Sequence, residues 1–154
     1  MSHSSSIRHD AERVVILVGD RDDDARSILS RALDHAGYSV RLATDGDALL
    51  REARADRVAL VVAELYLACA SGRCAVQCLK SDPALRHIPV LVFTTQVFAA
   101  DEKWARDVGA ERFLRKPVDF GTLFSVVKEM IDPGVTARPT RIAPVREIRH
   151  EATS

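Results

Sequence analysis

Four residues of unlike chemistry stand where apolar runs of the chain end. Asp20 comes after the run 14–18, Glu64 after 58–63, Thr94 after 90–93, and Lys116 after Phe113 and Leu114. Carboxylates ligate cations, while a hydroxyl and an ammonium donate to oxyanions, so the four together could handle a charged group. Taken singly, each has an ordinary reading: a strand-end acid, a β-branched residue in a strand, a surface lysine before a turn. The first loop also carries Arg21, Asp22, Asp23 and Asp24. Acids near a helix start suit the helix dipole, which accounts for some of them. Asp20 sits nearer the strand end and is expected to reach over the edge of a sheet.

Other reactive types are less organised. Cys74 and Cys78 lie one helical turn apart, but no neighbouring His or Cys completes a tetrahedral metal set, so helix packing is expected. With Cys69 they make an odd number of cysteines, which argues against a disulfide framework. His3, His9, His35, His87 and His150 do not stand beside a Ser or Cys nucleophile with an orienting acid. Ser71, before Gly72, reads as a helix N-cap. The chain is therefore read as something other than an independent enzyme.

The elements that must position the four residues follow from hydrophobic periodicity. Apolar runs at 14–18, 40–43, 58–63, 90–93 and around 113–114 each precede a helix-like segment. In the first such segment Ala25, Ile28, Leu29, Ala32, Leu33 and Ala36 form a stripe, and Gly37 is placed to end it. In the last, Phe120, Leu123, Phe124, Val127 and Ile131 recur at helical spacing, with Asp119 as N-cap and Pro133-Gly134 as the stop. The third and fourth runs are apolar on both alternate faces, as strands between two helical layers must be. Residues 13–132 are thus expected to form one α/β domain, (βα)5, with helices on both faces of a five-stranded parallel sheet. Ligands of such sheets sit outside the carboxyl ends of the strands, where the four residues stand.

Composition bounds the function. At 154 residues, with 47% apolar and 29% charged residues, the chain suits one soluble globular domain. Twenty-two basic and 22 acidic residues leave no global field for nucleic acid or an anionic membrane. The apolar runs are too short to span a bilayer, which needs about 20 residues, and residues 1–10 lack a secretory apolar run. A cytoplasmic address is expected. Residues 1–12 read as a disordered leader and 133–154, with Pro133, Pro139, Pro144 and four arginines, as a disordered tail.

The sequence resembles the receiver domain of two-component response regulators over about 13–132. Carrying the resemblance are Val14 through Asp20, Ala43-Thr44-Asp45-Gly46-Asp47-Ala48-Leu49, Glu64-Leu65-Tyr66-Leu67 with Gly72, and Ile88 through Thr94. Ala105, Gly109-Ala110, Phe113-Leu114 and Lys116-Pro117 complete it. The family implies a CheY-like, flavodoxin-like strand order 2-1-3-4-5. It also implies phosphorylation of an acid after the third strand and Mg2+ held by that acid and by acids after the first strand. By position, Glu64 is the phospho-acceptor, Thr94 the switch hydroxyl, Lys116 the phosphoryl contact, Phe113 the coupled aromatic, and Asp20 and Arg21 the acidic pocket. Asp20 and Glu64 would be the side-chain metal ligands.

The departures are informative. Glu64 replaces the usual Asp, and its extra methylene moves the carboxylate about 1.5 Å outward. A displacement of about 1 Å can cost on the order of a hundredfold in rate. Arg21 replaces an acid, and a guanidinium cannot ligate Mg2+ and repels it. Ala68 replaces a common proline, and Phe113 lacks the hydroxyl of the common Tyr. The expectation is a pseudo-receiver, acting alone in phosphorelay signalling without ordinary phosphorylation and with Mg2+ required only if the site works. Arg21 and Glu64 could pair where metal and phosphoryl group would sit. Alternatively, Glu64 could mimic the phosphorylated acceptor by contacting Thr94 or Lys116.

The competing readings are a working phosphorelay receiver with a weak Mg2+ and phosphoryl site, using Asp22 as substitute ligand, and a flavodoxin-like ligand-binding module. Four aspartates in the first loop disfavour the latter, because they would repel a phosphate. The expected partner is a protein, a sensor kinase or a downstream effector. Nucleic-acid binding through Arg138, Arg141, Arg146 and Arg149 is not expected, since nothing supplies base readout. The expected interaction face is the fourth helix, fifth strand and fifth helix, made basic and aromatic by Trp104, Lys103, Arg106, Arg112 and Arg115; the same face would serve a homodimer.

Overall fold

The computed structural model describes residues 13–55, 57–96 and 98–132. The expected leader, tail and Pro133-Gly134 stop lie outside them. Strands and helices alternate: β1 (Val15–Gly19), α1 (Asp23–His35), β2 (Ser39–Ala43), α2 (Gly46–Ala55), β3 (Val58–Ala63), α3 (Ala75–Ser81), β4 (Val90–Thr94), α4 (Ala99–Asp107), β5 (Arg112–Arg115) and α5 (Phe120–Ile131). All neighbouring strands run parallel, in the order β2-β1-β3-β4-β5, as expected.

Period-two alternation builds two cores. Ile16, Val18, Leu60, Val62 and Leu91 face Leu29 and Leu33 of α1 and Leu123, Val126 and Val127 of α5. Leu17, Val61, Val90 and Val92 face Leu49 and Ala53 of α2, Val76 and Leu79 of α3, and Ala105 of α4. Among the described residues, no helix is long and apolar enough to cross a membrane.

The helix boundaries have local causes. Asp22 caps α1 by accepting from Asp24 N at 3.0 Å, and Asp119 caps α5 by accepting from Thr122 N at 2.7 Å. Gly37, at φ +107°, closes α1: its N–H reaches Asp34 O, and Tyr38 N reaches Leu33 O. At the start of α2, Gly46 N–H donates to Ala68 O at 2.9 Å, and a Cβ there would lie 2.7 Å from the Ala68 carbonyl carbon. Only glycine lets the loop after β3 approach α2 this closely.

Three local expectations are corrected. Ile28 is 57% exposed, because α1 buries only the narrower Leu29–Leu33 edge of its stripe. Phe120 is half-exposed and stacks on Phe124, with ring centroids 5.9 Å apart. Ser71 caps no helix: α3 starts after Cys74, and Ser71 Oγ accepts from Arg73 N within the preceding turn at 3.3 Å. Cys74 and Cys78 pack against the α2–α4 core near buried Cys69.

Candidate functional site

The parallel ladders carry the four rim residues to one edge. Gly19 pairs with Ala43 and Ala63, and Thr94 pairs with Arg115. Hydrogen bonding then continues one residue past the strands. Asp20 N donates to Ala43 O, Glu64 N to Gly19 O and Lys116 N to Thr94 O, at 3.1, 2.9 and 2.8 Å. The backbones of Asp20, Glu64 and Lys116 are thus held by the sheet rather than by free loops.

The side chains converge on the Lys116 ammonium. Nζ lies 2.6 Å from Asp20 Oδ2 and 3.3 Å from Glu64 Oε1. The other Glu64 oxygen, Oε2, accepts from Thr94 Oγ1 at 2.5 Å. Thr94 is fully buried, and its Oγ1 also accepts from Gln96 N at 3.2 Å. Asp20 is 6% exposed; its remaining Oδ1 accepts from Asp22 N at 2.9 Å. Nζ also lies 5.5 Å from the centre of the Phe93 ring, within cation–π range. Burial alone would lower the Lys116 pKa, but the Asp20 hydrogen bond and charge, and then Glu64, more than offset it, so the pKa is raised. The lysine is therefore held charged between two acids.

Arg21 is not part of this network. It is exposed and forms no ion pair among the described residues, so the expected Arg21–Glu64 pair is not formed. The reason is geometric: both Glu64 oxygens are already taken by groups fixed on β4 and by the residue after β5. Asp22, the alternative ligand, is exposed and committed to the cap of α1. Among the described residues, no three of His, Cys, Asp and Glu gather as a metal site. Phe113 is half-buried against the α2–α4 core, opposite Val92.

The expected interaction face is less basic and less exposed than its residue types suggest. On α4, Lys103 pairs with Asp107 at 2.7 Å and Arg106 with Glu102 at 2.8 Å, each one turn away. Arg112 folds onto Glu129 of α5. Arg115 is half-buried, and its Nε is buried without a hydrogen-bond partner. Trp104 is half-buried, its ring centroid 5.7 Å from that of Tyr66.

Three site neighbours escaped sequence reasoning: Phe93, Tyr66 and Asp101. The Tyr66 hydroxyl donates to Asp101 of α4, tying the loop after β3 to that helix. That hydrogen bond first, then burial and the Asp101 charge, push the Tyr66 pKa up to about 12. Phe93 had a legible signal, because it pairs with Leu114 and Lys116 lies two residues further along the same face. The contact of Tyr66 with Asp101, 35 residues away, had none.

Comparison with known proteins agrees with this architecture. The model of the response regulator receiver domain matches residues 15–128. The response regulator PleD of Caulobacter vibrioides is 30% identical over 116 residues, which are 75% of this chain and 25% of PleD. The chain therefore spans about a quarter of that relative's length. The polar-differentiation response regulator DivK of Brucella anthropi is 29% identical over 99 residues, 64% of this chain and 80% of DivK. The solved chemotaxis protein CheY4 of Vibrio cholerae superposes with a TM-score of 0.69 at 24% identity, covering 77% of this chain and 98% of that one. The chain thus belongs to the response regulator receiver family of two-component signalling, and the rim that gathers Asp20, Glu64, Thr94 and Lys116 lies at the carboxyl edge of a receiver domain.

Proposed function

We propose that this receiver signals without Mg2+-dependent phosphorylation, Glu64 standing in for a phosphorylated acceptor. The carrying observation is the bridge itself: one Glu64 oxygen on Thr94 Oγ1 at 2.5 Å, the other on Lys116 Nζ at 3.3 Å. A carboxylate brings about one negative charge where a phosphoryl group brings nearer two, so the mimicry is partial. It nonetheless engages the hydroxyl and the ammonium together.

The residues of the rim do not fit Mg2+. That ion demands near-octahedral oxygen coordination, usually from one or two carboxylates with water. Here Asp20 and Glu64 share an ammonium, and the neighbouring Arg21 offers a positive charge and no oxygen. On this reading the protein acts in the cytoplasm through contact with a sensor kinase or a downstream effector.

The test is a two-dimensional amide NMR titration with millimolar Mg2+, followed by beryllium fluoride as phosphoryl stand-in. The expected result is no saturable shift at residues 20, 64, 94 and 116. Saturable shifts confined to those residues would show a live site and overturn the proposal in favour of a working phosphorelay receiver.

A further inference from the structure

The three cysteines lie together where the loop after β3 folds back onto α3, and the rim uses none of them. Backbone hydrogen bonds fix this fold-back. Cys69 N donates to Arg73 O at 2.9 Å, Ala75 N to Leu67 O at 2.8 Å, and Ala68 bridges to Cys74. Cys78 stands one turn further along α3, its N–H on Cys74 O at 3.1 Å.

The three thiols differ in what they can do. Cys74 Sγ donates to Leu65 O at 3.0 Å and is committed to that carbonyl. Cys69 is 8% exposed, and its thiol lies within hydrogen-bonding reach of the Cys78 thiol and the Asp47 carboxylate. Burial first, then Cys78 and Asp47, push the Cys69 thiol up to about 11, so it keeps its proton and is a poor first nucleophile. Cys78 is only half-buried and can be reached from solvent. A disulfide brings its two Cβ atoms to about 4 Å, which thiols already in contact reach with little backbone movement.

We propose that Cys69 and Cys78 form a reversible oxidation site that reacts with a low-molecular-weight disulfide and closes a Cys69–Cys78 bond, pinning the loop after β3 to α3. The Cys78 thiolate attacks one sulfur of glutathione disulfide, whose S–S bond breaks. A mixed disulfide forms on Cys78, and one glutathione thiolate leaves. Cys69 sulfur then attacks Cys78 Sγ, its proton passes to solvent, and the second glutathione thiolate leaves. Two protein thiols are oxidised to one disulfide, and one glutathione disulfide is reduced to two glutathiones. In a reducing compartment such a bond is transient and forms when the glutathione pool becomes oxidised.

The test is incubation of the whole folded chain with glutathione disulfide, followed by thiol alkylation, intact mass and peptide mapping. The parent chain is expected to lose two of its three alkylatable thiols, retain no glutathione, show a 69–78 cross-link and recover all three thiols with dithiothreitol. Cys69→Ala is expected to stop at one retained glutathione on Cys78, and Cys78→Ser to form neither cross-link nor adduct. Cys74→Ser is expected to close as the parent does. Mapping of the parent chain decides the matter without any variant that does not fold. Three thiols left alkylatable, a cross-link through Cys74, or glutathione retained on Cys69 would overturn the proposal.

Discussion

Replacing Lys116 by Met tests the electrostatics of the rim most directly. The ammonium sits 2.6 Å from Asp20 Oδ2 and 3.3 Å from Glu64 Oε1, so these two oxygens lie within about 6 Å of each other. The side chains of Lys116, Asp20 and Glu64 are 18%, 9% and 19% exposed, which limits how far water can replace the lost partner. At an effective dielectric of about 20, two like charges at this separation repel by about 3 kcal/mol. Losing two charge-assisted hydrogen bonds adds to this, and uptake of a proton by one acid subtracts from it. Lys116→Met is therefore expected to lose about 3 kcal/mol at neutral pH, in the range for breaking a partly buried pair. The loss should shrink as pH falls into the carboxylate range, where a protonated acid no longer repels its neighbour. In the parent protein the raised Lys116 pKa has the opposite signature. Its contribution is complete below the unfolded lysine value and is lost only as pH rises through the higher folded value. Urea unfolding followed by Trp104 fluorescence measures the first effect at neutral and acidic pH and the second at alkaline pH. An unchanged urea midpoint at neutral pH, or a loss independent of acid, would refute the bridge.

The same unfolding assay applies elsewhere. Lys80 is 8% exposed at its side chain and donates to Arg86 O, Ile88 O and Glu111 at 3.0, 2.8 and 2.8 Å; Lys80→Met should cost about 3 kcal/mol. Gly46→Ala drives a Cβ to 2.7 Å from the backbone of Ala68 and Cys69, which cannot yield as a side chain would, and should cost about 2 kcal/mol or more. In an alkaline titration of phenolate absorbance, the folded protein should show a step near pH 12 that Tyr66→Phe removes. Because the folded phenol holds its proton more tightly than an unfolded one, this hydrogen bond's stabilisation is complete below about pH 10 and is lost as pH rises through about 12.

The rim was legible because strand ends are legible. Asp20, Glu64 and Lys116 each follow an apolar run, Thr94 closes one, and a parallel sheet must bring such positions to one edge. Side-chain direction was not legible. Arg21 adjoins Asp20 in sequence, yet only Asp20 turns onto the sheet edge, so residue type suggested an ion pair that orientation does not permit. The pairing of charges on the α4 face was hidden for a related reason. Lys103, Trp104 and Arg106 read as basic and aromatic, but Asp107 and Glu102 take up the two charges and Tyr66 meets the ring. Ile28 fits a helical period as well as Leu29 does, and only the position of α1 on the sheet decides which of them is buried.

The choice of Lys116 over Arg21 as the partner of Glu64 follows from where each cation stands. Lys116 is carried by the β5 ladder through its N–H to Thr94 O, and its side chain is mostly withdrawn from water. Attraction between charges in such a place is screened far less than attraction to a solvated guanidinium. The length of Glu64 then matters in a second way. Its backbone is pinned by the hydrogen bond to Gly19 O, so side-chain length alone sets how far the carboxylate reaches. From the same backbone an aspartate would end about 1.5 Å short, stretching the 2.5 Å contact with Thr94 Oγ1 beyond hydrogen-bond distance unless β4 moved. The methylene that displaces an acceptor from its reactive position is thus the one that builds the Thr94 contact. On the proposed reading, loss of phosphorylation and gain of a standing bridge are therefore two consequences of a single substitution.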